Sequence, residues 1–301
     1  MKEPFSFPHY LLAKQSVDDR ALNKDVLAEL RRRLTEFSSL NLLEIGAGIG
    51  SMLIRLLRWE MLPPLTEYTL LDEMSENIAF ARTWIPQAAR ELGWQAGPLP
   101  DGGLRLTRAR QVLTLHFVQE SVFDFCGAAN RSAFDVLVAH AVLDLFPMPG
   151  SLPPLFSLLK PGGLAWFTIN FDGVSSLEPT LDPALDALVE SLYHQTMDER
   201  PGGGDSQSGR HLFGHLRQFS AEILAAGASD WVVYPTQGGY PADEAYFLAC
   251  ILHFFEESLA QHPALTGVDF PGWLAARRAQ VERGELVYIA HQMDFLCRAN
   301  L

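Results

Sequence analysis

The 301-residue sequence predicts an α/β fold with a largely parallel sheet, and three observations lead to that prediction. Residues 42–45 form a short apolar run that ends in a glycine-rich turn, which is typical of a buried parallel strand. Residues 52–59 follow with an amphipathic helical pattern, and residues 68–72 form a second apolar run. The order strand, turn, helix, strand is a βαβ unit, which indicates two parallel strands in one sheet.

The elements after this unit continue the pattern. Residues 75–84 predict the second helix. Residues 104–107 and 112–118 alternate apolar and polar side chains, which predicts a hairpin leading into the third core strand. Residues 134–139 and 164–169 predict the fourth and fifth strands, separated by a short helix that a Lys-Pro-Gly-Gly turn ends.

The two ends of the chain carry more helical patterns. Val26, Leu30 and Leu34 recur at helical spacing before the first strand. After the fifth strand we predict helices at 183–197, 220–226, 243–261 and 271–282, and strands at 231–234 and 286–296. The helix at 220–226 is expected to end at Gly227.

Composition and charge exclude several function classes. The chain has 23 Lys and Arg against 36 Asp and Glu, a formal net charge of −13. This balance argues against a protein that mainly binds nucleic-acid phosphates, and it favours an acceptor or ligand that is neutral or cationic. Three scattered cysteines predict a reducing compartment without a disulfide framework or zinc site. We therefore expect a cytoplasmic protein without a membrane span.

The glycine-rich turn is the strongest motif. Gly46, Gly48 and Gly50 permit a tight turn and close approach of a ligand to the backbone, and the following helix presents unsatisfied N–H groups. A dinucleotide fingerprint would place its third glycine at Ser51. Asp72 ends the second strand about twenty residues later, where a carboxylate can accept hydrogen bonds from both ribose hydroxyls.

At these residues the chain resembles the class I S-adenosylmethionine-dependent methyltransferases. Glu44 followed by Gly46, Gly48 and Gly50 is similar to the first motif of that family, an acidic residue and then GxGxG. Asp72 matches the ribose-binding acidic residue. Asp135 and the turn at 159–164 match two later hallmarks. The resemblance covers about residues 40–172, and the remaining sheet falls at 219–235 and 285–297.

The resemblance implies a seven-stranded, mostly parallel sheet with helices on both faces and an antiparallel last strand beside the sixth. It implies a single methyltransferase domain over 1–301, with an N-terminal helical lid at 1–40 and a cofactor-binding core at 41–172. An inserted helical cap comes from 173–218 and 238–284, and the remaining sheet from 219–237 and 285–301.

The resemblance also assigns S-adenosyl-L-methionine as the cofactor. Glu44 helps to hold the loop and the cofactor's ammonium, Asp72 binds the ribose, and Glu73 or Met74 flanks the adenine. Glu120 and Ser121 remain alternatives for the contact with the adenine amino group. The full predicted cofactor set is Glu44, Gly46, Ala47, Gly48, Gly50, Asp72, Glu73, Met74, Glu120, Ser121, His140 and Ala141.

An acceptor is expected at the carboxyl ends of the strands, where open α/β sheets bind their ligands. Three polar residues are candidates for catalysis: His140, His194 and Asp172. The substrate candidates come from the lid, the fifth strand and the cap: Tyr10, Lys14, Asn170, Phe171 and Arg210. His211 and His215 have metal-ligand spacing, but no carboxylate motif accompanies them, so we predict no metal site.

The predicted function is transfer of a methyl group from S-adenosylmethionine to a small organic molecule by in-line displacement. The predicted partners include this acceptor but neither nucleic acid nor a membrane, and a homodimer stays open. Two alternatives remain: a catalytically silent S-adenosylmethionine-binding protein, and an NAD-dependent oxidoreductase. The sequence leaves open the acceptor atom, the use of a general base, and catalytic activity itself.

Overall fold

The computed structural model describes residues 5–299, in which helices pack on both faces of a ten-stranded sheet. The helices are Phe7–Ala13 (α1), Gln15–Ala21 (α2), Lys24–Leu34 (α3), Ser51–Arg58 (α4), Ser75–Glu91 (α5), Val122–Phe125 (α6), Leu152–Ser157 (α7), Pro183–Asp198 (α8), Ser208–Gln218 (α9), Glu244–Leu259 (α10) and Phe270–Glu282 (α11). The strands are Ser39–Ile45 (β1), Leu65–Asp72 (β2), Gln95–Pro98 (β3), Leu104–Arg108 (β4), Gln111–Gln119 (β5), Phe134–His140 (β6), Leu159–Glu178 (β7), Glu222–Ala228 (β8), Trp231–Val233 (β9) and Val287–Arg298 (β10).

The strand order explains how the two halves of the chain form one sheet. It is β3-β4-β5-β2-β1-β6-β7-β10-β8, and β9 pairs with β10 beside β8. Strands β5, β2, β1, β6 and β7 are parallel, whereas β10 lies antiparallel between β7 and β8. The predicted fold class is therefore confirmed. Strands β4 and β9 correspond to the runs predicted at 104–107 and 231–234, whereas β3 and β8 were not predicted as strands.

Both faces of the central strands are buried, which is why they appear in the sequence as continuous apolar runs. In β1, Leu42 packs into the core on one face and Leu43 and Ile45 pack into the core on the other. All three side chains are at most 1% exposed. The period-2 alternation of a half-solvated strand is absent here because neither face meets water.

One predicted helix is wrong. Residues 222–228 form strand β8, which pairs along β10, instead of the helix expected at 220–226. The alanine-rich sequence favours a helix locally, but strand pairing with β10 supplies the backbone hydrogen bonds and overrides that preference. Two further differences concern the strands. Strand β3 was not predicted, and β7 continues to Glu178, nine residues beyond the predicted end at 169.

The N-terminal helices pack across the carboxyl edge of the sheet. A Cβ atom built on Gly48 would lie 2.8 Å from Leu11 of α1, so this helix contacts the glycine turn directly. Residues 1–4 of the predicted lid and residues 300–301 of the last segment lie outside the described residues. Within residues 5–299, no helix combines the length and apolar character needed to cross a membrane.

Candidate functional site

A cavity of about 410 Å³ opens at the carboxyl edge of the parallel strands, beneath α1 and α2. The turns after β1, β2, β5 and β6 supply most of its wall, because parallel strands end at the same edge. Its lining includes most of the predicted cofactor set, namely Glu44, Gly46, Ala47, Gly48, Asp72, Glu73, Met74, Glu120, Ser121, His140 and Ala141. Of the predicted substrate residues, Lys14 alone lies in this lining.

Two of the three turn glycines border the cavity. Gly46 and Gly48 have φ values of +56° and +55°, a left-handed conformation that glycine adopts without steric cost. A Cβ atom at Gly46 would lie 2.7 Å from a methyl group of Val142. The backbone of this turn can therefore approach a ligand closely only while both positions remain glycine.

Gly50, by contrast, does not line the cavity, although the resemblance predicts that it binds the cofactor. It precedes α4 with φ +82°, and a Cβ atom there would lie 2.6 Å from Ile85 and 2.8 Å from Leu70. Gly50 is thus required by the packing of the turn against α5 and β2.

Asp72 connects the glycine turn to the start of α5. Its Oδ2 accepts a hydrogen bond from the Gly48 N–H (2.7 Å), and its Oδ1 accepts from the Met74 N–H (2.9 Å) and the Asn77 amide (3.1 Å). Asn77 is 1% exposed and lines the cavity, and its own Oδ1 has no hydrogen-bond partner in the described structure. A ligand hydroxyl could satisfy this buried oxygen.

Glu44 is a buried carboxyl group at the other end of the turn. It accepts a hydrogen bond from the Tyr68 hydroxyl (2.5 Å) and is 2% exposed. Burial raises the pKa of Glu44 to about 8, although the bond from Tyr68 opposes this shift. The protonated form is therefore favoured at neutral pH until a cation enters the cavity.

This raised pKa makes the stability contribution of Glu44 depend on pH. The folded protein keeps the proton between the ordinary pKa of 4.5 and about 8, whereas the unfolded chain releases it. The advantage of wild type over Glu44→Gln in unfolding free energy should therefore fall by about 3.5 kcal/mol from pH 5 to pH 8. Denaturant titrations along this range measure it, and a difference that does not change with pH would contradict the buried, protonated Glu44.

The opposite end of the cavity is more open and mixes acidic and apolar groups. Glu73 and Met74 follow β2, and Glu120 and Ser121 follow β5. The Ser121 hydroxyl accepts a hydrogen bond from the Phe123 N–H and so caps α6. This use of Ser121 leaves Glu120 as the less engaged of the two alternatives for an adenine amino group.

His140 lies at the end of β6, and both of its ring nitrogens are engaged. Nδ1 lies 2.7 Å from the Thr168 hydroxyl, and Nε2 lies 2.9 Å from Oδ2 of Asp18. A proton on Nε2 satisfies both contacts, since the ring then donates to Asp18 and accepts from Thr168. Burial lowers the pKa of His140 to about 4, although Asp18 opposes this shift. A neutral ring with both nitrogens occupied is a poor general base, so its geometry favours a positioning role.

The network around Asp18 was not found from the sequence. This α2 carboxylate is 2% exposed and also accepts hydrogen bonds from Arg55 Nη2 (3.2 Å) and the Trp231 indole N–H (2.9 Å). Burial alone would raise its pKa, but Lys14 and His140 hold the pKa of this carboxyl group below its ordinary value. The network fastens the N-terminal helices to α4, β6 and β9.

The structure separates the predicted acceptor residues of β7 and α9 from the cavity. Asp172 Oδ1 accepts hydrogen bonds from the Arg210 backbone N–H (2.6 Å) and guanidinium Nε (2.8 Å), and His291 lies 3.4 Å from its Oδ2. This pair fastens the start of α9 to β7. Asn170 donates to the Met293 carbonyl (2.8 Å) and is fully buried. Asp172, Asn170 and Arg210 therefore do not line the described cavity, and their roles toward an acceptor stay predictions.

Three further candidates, all with aromatic rings, also lie outside the cavity. The ring of each packs against a neighbouring element. Phe171 faces His194 of α8 with ring centroids 5.2 Å apart, and His194 Nε2 lies 3.2 Å from the Ser175 hydroxyl. Tyr10 points into the aromatic core, with its ring 5.9 Å from Phe247. None of the three lines the described cavity.

Comparisons with known proteins bear on the fold. The chain matches no protein-family profile and no curated protein sequence. A candidate methyltransferase from Bacillus halodurans aligns over 92% of this chain and 100% of its own, with 10% identity and a TM-score of 0.52. A methyltransferase from Thiobacillus denitrificans, solved with S-adenosyl-L-homocysteine, aligns over 99% of this chain and 100% of its own, with 15% identity and a TM-score of 0.48.

At such low identities a structural likeness establishes the fold alone, and the first of these two structures carries that argument. The order of the strands supports the same fold independently. The resemblance implies an antiparallel last strand beside the sixth strand of a seven-stranded sheet, and the last strand here, β10, lies antiparallel between β7 and β8. The chain therefore has the fold of the class I S-adenosylmethionine-dependent methyltransferases.

Proposed function

We propose that this protein transfers a methyl group from S-adenosylmethionine to a small organic molecule. The observation that carries the proposal is Asp72 beside Asn77, a buried carboxylate next to an unpartnered amide oxygen in the wall of the cavity. Both groups are acceptors, and a ribose offers two hydroxyl donors. Asp72 also accepts a hydrogen bond from the Gly48 N–H, so this pair of acceptors lies beside the glycine turn.

The residues present fit the cofactor along the whole cavity. Glu44 is available for the α-ammonium, Asp72 and Asn77 for the ribose, and Met74 and Glu120 for the adenine. When bound, S-adenosylmethionine would supply its sulfonium methyl group to an acceptor nucleophile aligned opposite the S–CH3 bond, with neutral S-adenosylhomocysteine as the leaving group. The chain's part is to align the acceptor and exclude water, and Phe7 and Leu11 of α1 cover the cavity accordingly.

The finer parts of the proposal concern the acceptor, the partners and the location. We infer a small-molecule acceptor rather than nucleic acid, supported by the net charge of −13. We infer a cytoplasmic location without membrane association, supported by Cys126, Cys250 and Cys297, all of which are free. A homodimer is compatible with this proposal but is not required by it.

Thermal shift measurements separate this proposal from an NAD-dependent oxidoreductase. S-Adenosylhomocysteine should raise the melting temperature, because it binds the folded state alone, whereas NADH at the same concentration should leave it unchanged. A shift with NADH and none with S-adenosylhomocysteine would contradict the proposal. A silent binding protein would show the S-adenosylhomocysteine shift but no methyl transfer to any acceptor.

A further inference from the structure

Two basic side chains, Lys14 and Arg200, line the described part of the cavity without belonging to the cofactor motifs. Lys14 lies where α1 meets α2 and is 6% exposed, whereas Arg200 follows α8 and is exposed. They are 186 positions apart in the sequence and border the same cavity. Since the cofactor motifs use neither, both are available to a second ligand.

The ammonium of Lys14 keeps most of its hydrogen-bonding capacity. Its Nζ lies 3.6 Å from Oδ2 of Asp18, and it also lies 5.3 Å from the centre of the Trp231 ring. Asp18 already accepts hydrogen bonds from Arg55, His140 and Trp231. An ammonium group has three N–H donors, so at least two remain for a ligand.

Arg200 is still less engaged. Among the described residues, no hydrogen bond or ion pair involves its guanidinium, which carries five N–H donors in a fork suited to a carboxylate. Asp144 lies within electrostatic range of Lys14 and Arg200, yet its Oδ1 accepts no hydrogen bond from either. Burial raises the pKa of Asp144 and lowers the pKa of Lys14.

Apolar side chains also line the cavity. Leu145 and Phe146, in the turn after β6, line the cavity, and Leu145 is 42% exposed. Phe7 and Leu11 cover it from the lid side. A ligand here would meet both free N–H donors and hydrocarbon, the usual combination in a small-molecule site.

We propose that the acceptor is an organic acid whose anionic oxygen, a carboxylate or phenolate, is held by Lys14 and Arg200 while its apolar body packs on Leu145 and Phe146. This inference rests on the proposed methyl transfer and names its substrate class. It reverses the preference for a neutral or cationic acceptor drawn from net charge, because local donors act at contact distance whereas distant surface charges are screened.

Calorimetric titrations of the protein saturated with S-adenosylhomocysteine test this proposal. The probes are 3-phenylpropanoate and benzoate with their neutral amides, and 4-nitrophenolate with 4-nitroanisole. At least one anion should bind about tenfold or more tightly than its neutral partner. Lys14→Met and Arg200→Gln should each weaken that anion about tenfold. Arg110→Gln removes the same charge from an exposed turn and should change nothing.

The outcomes distinguish the two proposals. If S-adenosylhomocysteine itself does not bind, the proposed function fails. If it binds, but no anion exceeds its neutral partner or neither substitution weakens the anion, the inference alone is overturned. The class of acid is identified by which anions, the carboxylates or 4-nitrophenolate, bind more tightly than their neutral partners. Arg200 is exposed, so Arg200→Gln carries the test even if Lys14→Met does not fold.

Discussion

Asp18→Asn is expected to lower the free energy of unfolding by about 3–5 kcal/mol, the largest stability effect of any single substitution proposed for this chain. The carboxylate accepts hydrogen bonds from Arg55, His140 and Trp231 in a site from which water is excluded. An amide would remove one of the two carboxylates that the buried Arg55 contacts, leaving only Asp19, and would present an N–H where three donors converge. Denaturant unfolding at pH 7 measures the loss.

Asp25→Asn is the matched control, because Asp25 is exposed at the start of α3. Its loss should cost less than about 1 kcal/mol, the range of a charge near a helix N-terminus. Equal stabilities for Asp18→Asn and Asp25→Asn would show that the buried network does not fasten the lid. A second readout is cofactor affinity, which should fall in Asp18→Asn as the lid helices loosen.

Asp72→Ala is expected to weaken S-adenosylhomocysteine binding about a hundredfold or more. The substitution removes the acceptor proposed for the ribose, and charge-assisted hydrogen bonds contribute about 1.5–3 kcal/mol each. It also releases the Gly48 N–H, so the glycine turn loses the bond that sets its position. Calorimetric titration of the variant, with its melting temperature as a check on folding, measures the effect.

Glu91→Ala removes the same charge from the exposed end of α5 and should keep wild-type affinity. Asn77→Ala, which removes the unpartnered amide oxygen, should give a smaller loss than Asp72→Ala. A folded Asp72→Ala protein that binds S-adenosylhomocysteine as tightly as wild type would contradict the assignment of this carboxylate to the ribose.

The cofactor half of the site was largely predictable from sequence because its determinants are local. A strand, a glycine turn and a helix N-terminus follow one another within about twelve residues, so the residues themselves indicate the geometry. Asp72 was predictable in the same way, because it is the last residue of the next strand, β2. Asn77 was missed, although it lies five residues after Asp72, because one buried amide on a helix has no sequence pattern of its own.

The network around Asp18 was not predictable because its contacts join distant segments. Asp18 meets Trp231, 213 positions away, and His140, 122 positions away, and nothing in the local sequence at any of them indicates this. The polar residues of β7 appeared equally suitable in the sequence, but Asp172 accepts hydrogen bonds from Arg210. The helix prediction at 220–226 is wrong for the same reason, because pairing with the distant strand β10 determines the conformation of these residues.

Titration of the wild-type protein with S-adenosylhomocysteine tests the central claim most directly. The account predicts saturable heat at a stoichiometry of one per chain, with affinity rising as pH increases toward 8, because Glu44 must release its proton to receive the ligand's ammonium. Absence of binding in calorimetry, together with no change in melting temperature at millimolar ligand, would contradict it.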